Sequence, residues 1–255
     1  VPISLVRLKN SKQDGKSKIL LYAYGAYKHS ILPSFSASRF CLVDRGITFA
    51  IAHIRGGGDL GDIWHEEGKK KLKKNTFLDY IACANHLIDQ RYTFKGGVCF
   101  YGGSAGGLTG GALANMAPEL FFSMLLLVPF VDTMTTMLNE KLPLTPSEWE
   151  LWGNPIKNKE YFEYILSYSP YNNLDNKNYP SMLITTSIFD NRVLYSEPVK
   201  YIAKLRDVRN DNNTQLLKCK MKAAGHGGMS GRDNAIIELS EEYSFILKTG
   251  KIVNS

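Results

Sequence analysis

The chain predicts an α/β fold, a mostly parallel twisted sheet with helices on both faces, and three features predict it. Short apolar runs alternate with longer segments of helical period along most of the sequence. The apolar runs are continuous, as in strands covered on both faces. The segments that follow them carry glycines and isolated polar residues, at the strand ends where an open parallel sheet collects ligands.

Taken in order, residues 1–8 alternate, with Val1, Ile3, Leu5 and Leu8 apolar, as a half-buried edge strand does. The polar segment 10–18, carrying Gly15, predicts a hairpin-like loop. Residues 19–24 form an apolar strand that ends at the turn Gly25-Ala26. A helix is expected over 36–44, a buried strand over 47–54, and a loop at Arg55-Gly56-Gly57-Gly58-Asp59. The cycle then repeats. Residues 76–90 place Phe77, Tyr80, Ile81, Ala84, Leu87 and Ile88 at helical spacing. Strands are expected over 97–101, 123–128, 181–187 and 216–221, and helices over 106–117, 197–208 and 233–248. Between about 130 and 180 the rhythm breaks at Pro143, Pro146, Pro155 and Pro170, among tryptophans and tyrosines. That stretch is expected to be an insertion lying over one edge of the sheet, within a single domain spanning 1–255.

At 255 residues, 44% hydrophobic and 11% aromatic, the chain has ample material for a buried core and no mark of disorder. The longest apolar run, 124–131, is too short to span a bilayer, and no leader pattern opens the chain, so no membrane partner is expected. Cys41, Cys83, Cys99 and Cys219 are widely spaced in apolar segments. They predict buried small hydrophobes rather than disulfides or zinc ligands, hence a reducing, cytoplasmic compartment. The formal charge of +7 comes partly from Lys69-Lys70-Lys71-Leu72-Lys73-Lys74. No aromatic interrupts this run, which predicts a solvated face and no nucleic-acid partner.

The chemistry centres on Gly102-Gly103-Ser104-Ala105-Gly106, between an expected strand and an expected helix. That context makes G-x-S-x-G the nucleophile elbow of an α/β-hydrolase fold; alone, the pentapeptide is equally an ordinary glycine turn. Asp190 and His226 follow two later strands, which completes the order Ser, Asp, His. In that arrangement His226 takes the Ser104 proton and Asp190 fixes the imidazole tautomer. Singly, an aspartate after a strand is a helix cap and a histidine among glycines is solvated. The Ala105 N–H and the Tyr24 hydroxyl are the expected oxyanion donors. His29, His53, His65 and His86 are weaker candidates by position.

These residues carry a resemblance. Gly103-Ser104-Ala105-Gly106-Gly107, His53-Ile54-Arg55-Gly56-Gly57-Gly58, Asp190-Asn191-Arg192-Val193 and Gly225-His226-Gly227 resemble the catalytic domain of prolyl oligopeptidase-type serine peptidases. Val128-Pro129-Phe130-Val131-Asp132, the stretch from Pro143 to Pro155 and Leu166-Ser167-Tyr168-Ser169-Pro170-Tyr171 are similar to the oligopeptidase B branch. The resemblance implies a serine endopeptidase that cuts short peptides after Arg or Lys, with Ser104, Asp190 and His226 as the triad and Tyr24 in the oxyanion hole. It also implies that Glu148, with Glu150 two residues on, pairs with the basic P1 side chain. Tyr27 and Phe130 would flank that side chain, and Arg192 would hold the substrate backbone. A guanidinium is suited to such a site, taking bidentate bonds from a carboxylate and stacking on aromatic faces. Where bacterial members carry acidic residues for a basic P2 side chain, this chain has Leu32 and Ser34. The family's β-propeller precedes the catalytic domain, and the chain is expected to be the catalytic domain without it. No metal or organic cofactor is implied. A carboxylesterase of the same fold and a silent peptide-binding domain are the alternatives; Tyr24-Gly25-Ala26-Tyr27 is not the HGGG loop of many esterases.

Overall fold

The structure, a computed structural model, describes residues 1–222 and 224–252. Its seven strands are β1 (Ile3–Val6), β2 (Ile19–Tyr22), β3 (Thr48–Ala52), β4 (Val98–Gly103), β5 (Phe121–Leu127), β6 (Ser181–Ser187) and β7 (Gln215–Lys220). They form one sheet in the order β1-β3-β2-β4-β5-β6-β7, parallel throughout except for β1. β1 runs antiparallel to β3, with Ile3 opposite Ala52 and Val6 opposite Phe49. The hairpin-like expectation for 10–18 is therefore corrected: β2 is already flanked by β3 and β4, so β1 takes the outer edge that its alternating pattern suits.

Helices are α1 (Phe40–Val43), α2 (Asp62–Glu66), α3 (Lys74–Asp89), α4 (Ala105–Met116), α5 (Thr133–Met137), α6 (Thr145–Trp152), α7 (Lys159–Leu166), α8 (Ser196–Val208) and α9 (Arg232–Thr249). Successive strand residues serve opposite faces. Leu21, Phe100, Leu126 and Ile184 join Phe77 of α3, Leu108 of α4 and Tyr201 of α8 in one core. Leu20, Cys99, Leu125 and Leu183 join Leu42 of α1 and Phe245 of α9 in the other.

The insertion does not lie over a sheet edge. It folds into α5, α6 and α7, and its Trp152, Ile165 and Tyr168 are buried in the same core as Leu108 and Leu113. Pro146 sits in the first turn of α6, where a missing N–H costs nothing. Asn158 caps α7 by accepting from the Glu160 and Tyr161 amides at 2.8 and 3.3 Å.

Two further expectations are corrected. Cys83 and Cys99 are buried, but Cys41 is exposed on the single-turn α1 and Cys219 is half-buried on the outermost strand; all four are free thiols. In the basic run, Lys69, Lys70 and Lys71 pair with Glu66, Glu150 and Glu160. Lys73, by contrast, is fully buried, because it lies four residues before Phe77 on the face that α3 turns to the core.

Candidate active site

β4 ends where α4 begins, and Ser104 is the residue between them, at φ 55° and ψ −121°. A residue with a Cβ holds this left-handed backbone at a cost of about 1–3 kcal/mol, so its surroundings must enforce it. The Ser104 N–H donates to the Leu127 carbonyl at 2.8 Å, and its carbonyl accepts from Phe130 N at 3.0 Å and Leu108 N at 3.2 Å. Gly107 permits this closeness: a Cβ there would lie 2.3 Å from Pro129 Cβ. Ala105 opens α4, so its N–H is among those with no carbonyl partner one turn back.

Tyr24 follows β2 and lines the same cavity as Ser104, whose hydroxyl acts on its phenol. Burial, with Tyr22 nearby, raises that phenol, and the Ser104 hydroxyl draws it partly back.

Asp190 and His226 stand after β6 and β7, and the structure brings them together. His226 Nδ1 meets Asp190 Oδ2 at 2.8 Å, while Asp190 Oδ1 accepts from the Arg192 and Val193 amides at 2.9 and 3.0 Å. Burial pushes the Asp190 carboxyl upward, yet the bonds from His226 and the two amides outweigh it and leave the group below its ordinary value. With Nδ1 engaged, Nε2 is the His226 nitrogen that remains for Ser104. Among the described residues no hydrogen bond joins His226 to Ser104. Two ties unseen in the sequence hold the His226 loop: Ser187 Oγ donates to the Ala224 carbonyl, and Glu238 accepts from Met229 N at 3.3 Å.

A cavity of about 500 Å³ opens beside Ser104, lined by Tyr24, Tyr27, Ala105, Phe130, Glu148 and Arg192, among others. Glu148 accepts from the Tyr27 hydroxyl at 2.8 Å and from Trp152 Nε1 at 2.7 Å, both on Oε2. Burial and the adjoining carboxylate hold the Tyr27 phenol well above its ordinary range. Phe130 and Tyr27 pack on the Trp152 ring with centroids 5.6 and 6.0 Å away. Trp152 was missed by site reasoning, although its i+4 spacing from Glu148 puts the two on one helix face. Glu197, buried and lining the same cavity, was also missed; it accepts from Thr136 Oγ1 at 2.6 Å and Asp132 N at 2.9 Å.

Glu150 does not join this group. Two residues turn an α-helix by about 200°, so its side chain is 85% exposed and meets Lys70 at 3.1 Å instead. Leu32 and Ser34 line a different cavity, with Tyr22, Tyr101 and Tyr243. His53 is occupied by Ser4 and Asp59 at 2.9 and 2.8 Å, on the side of the sheet where β1 runs.

A parallel sheet with a serine elbow at the end of a central strand defines an α/β-hydrolase. Residues 33–252 match the model of the Prolyl oligopeptidase family. The chain is 50% identical over 247 residues to Protease 2 of Moraxella lacunata, covering 97% of this chain and 36% of that protein. It is 47% identical to Dipeptidyl aminopeptidase BI of Pseudoxanthomonas mexicana, covering 97% of this chain and 34% of that one. Oligopeptidase B from Leishmania major superposes with a TM-score of 0.95 at 43% identity, over 98% of this chain and 34% of its own. Oligopeptidase B from Trypanosoma brucei with covalently bound antipain gives 0.95 at 44% identity, over 99% and 36%. The chain belongs to the prolyl oligopeptidase family, and it spans about a third of the length of these relatives.

Proposed function

We propose that this chain carries the catalytic machinery of a serine endopeptidase that cuts short peptides after Arg or Lys. The observation that carries the reading is the cavity beside Ser104, where Glu148 lies among Tyr27, Phe130 and Trp152. Both bonds to Glu148 fall on Oε2, so Oε1 remains for a basic side chain, and the aromatic faces suit a guanidinium plane.

In this mechanism His226 Nε2 takes the Ser104 proton as Oγ attacks the scissile carbonyl, then returns it to the leaving amine. Asp190 stays ionised, fixes the Nδ1–H tautomer and balances the imidazolium. The gap between His226 and Ser104 is one that substrate binding closes, as unliganded catalytic contacts commonly tighten. The oxyanion takes hydrogen bonds from the Ala105 N–H and the Tyr24 hydroxyl, each worth roughly 3–4 kcal/mol at the transition state. Arg192 holds the substrate backbone. With no carboxylate at Leu32 or Ser34, a second basic residue at P2 is not required.

The test is hydrolysis of matched amides with Arg, Pro or Ala at P1, together with labelling by a serine-directed phosphonate. Labelling at Ser104 with Arg favoured is expected. A preference for Pro or Ala sinks the specificity, and folded protein that takes no label sinks the activity.

A further inference from the structure

Beneath the Tyr24–Tyr27 segment lies Lys73, without exposed surface. Its Nζ donates to the Gly25 carbonyl at 2.6 Å and to Thr76 Oγ1 at 3.1 Å, and among the described residues no carboxylate accepts from it. The ammonium lies instead 5.2 Å from the centre of the Trp152 ring and 5.9 Å from that of Phe77. Burial draws it down to about 7. An ammonium buried without a counter-charge is a net burden on folding, which argues against a purely stabilising role.

Its contacts run to both halves of the cavity wall. The Gly25 oxygen is also confined from the far side, where a Cβ on Gly56 would sit 2.2 Å away. Gly25 directly follows Tyr24, which lines the cavity beside Ser104, and two residues on is Tyr27, whose hydroxyl holds Glu148. Trp152, whose ring faces the ammonium, donates to the same Glu148 oxygen.

We propose that Lys73 is a positioning residue of this site. Through the Gly25 carbonyl and the Trp152 ring it sets the Tyr24 hydroxyl at Ser104 and the Glu148 carboxylate in one fixed relation. The inference rests on the peptidase reading above.

Lys73→Met and Lys73→Gln decide it, the second keeping a donor for Gly25 without the charge. Lys73→Met is expected to leave Tm within a few degrees while phosphonylation of Ser104 slows about 10- to 100-fold, the scale of a small misplacement. It lowers kcat for both Arg and Ala substrates and raises KM for Arg alone, and Lys73→Gln recovers part of kcat. A phosphonylation rate within about twofold of wild type overturns the proposal, as does a loss explained by a lowered Tm. The Trp152 indole N–H resonance, assigned with Trp152→Phe, gives a reading independent of activity. Wild-type protein that is never phosphonylated sinks the peptidase reading. An indole signal left in place by Lys73→Met sinks this one.

Discussion

One wall of the Ser104 cavity, formed by Tyr24, Tyr27 and Phe130, is aromatic and rests on the buried Lys73; another, from Asn191 to Glu197, is held by the buried carboxylates of Asp190 and Glu197. The first is set by ring packing around Trp152 and by the lysine beneath it. The second is set by acceptors whose geometry depends on charge. Asp190 is ionised by its three donors, whereas burial raises Glu197 to about 7 despite bonds from Thr136 and the Asp132 amide. Under the proposed peptidase reading, selectivity and proton handling fall to differently built parts of the same cleft.

The largest effect that would separate the walls is Asp190→Asn, which is expected to lower kcat about 10⁴-fold on Arg and Ala substrates alike by favouring the wrong His226 tautomer. Glu148→Gln should instead cost about 100-fold in kcat/KM on Arg substrates and leave Ala substrates nearly unaltered, as for one partner removed from a shielded charge pair. Equal losses on both substrates in the second variant would erase the distinction.

Stability against pH sharpens it. Glu197 is raised from 4.5 to about 7, so across that window the folded chain holds a proton the unfolded chain has released, and stability falls as pH rises. Glu197→Gln should therefore gain up to about 3 kcal/mol by denaturant unfolding at pH 8 and almost nothing at pH 4. Lys73 is lowered from 10.5 to about 7, so its contribution has the opposite slope: stability rises with pH between those values. The smallest effect is at Ser187→Ala, which removes the tie to Ala224 and should cost about 1 kcal/mol with a severalfold drop in kcat.

The central strands were legible because their runs are apolar on both faces, and the positions of Ser104, Asp190 and His226 followed from where the strands end. The insertion was not legible, because prolines that punctuate α6 look the same in sequence as prolines that break a helix. Lys73 was hidden by its charged neighbours, although its spacing to Phe77 and Tyr80 marks the buried face of α3. Glu150 was grouped with Glu148 by closeness in sequence, and the turn of the helix separates them. Ser187 and Glu197 lie in stretches whose patterns are those of ordinary strand and helix, and only the packing of distant segments gives them partners.

The Phe130 amide that donates to the Ser104 carbonyl couples two parts of the site mechanically. An aromatic that flanks the ligand pocket and the proposed nucleophile share a rung of the backbone, so neither can be shifted alone. Exchanging the Phe130 side chain keeps that amide, whereas any change that moves its backbone, or a proline there, moves the serine as well. Glu148 meets the pocket through the Tyr27 and Trp152 side chains, so its exchange leaves that backbone rung untouched.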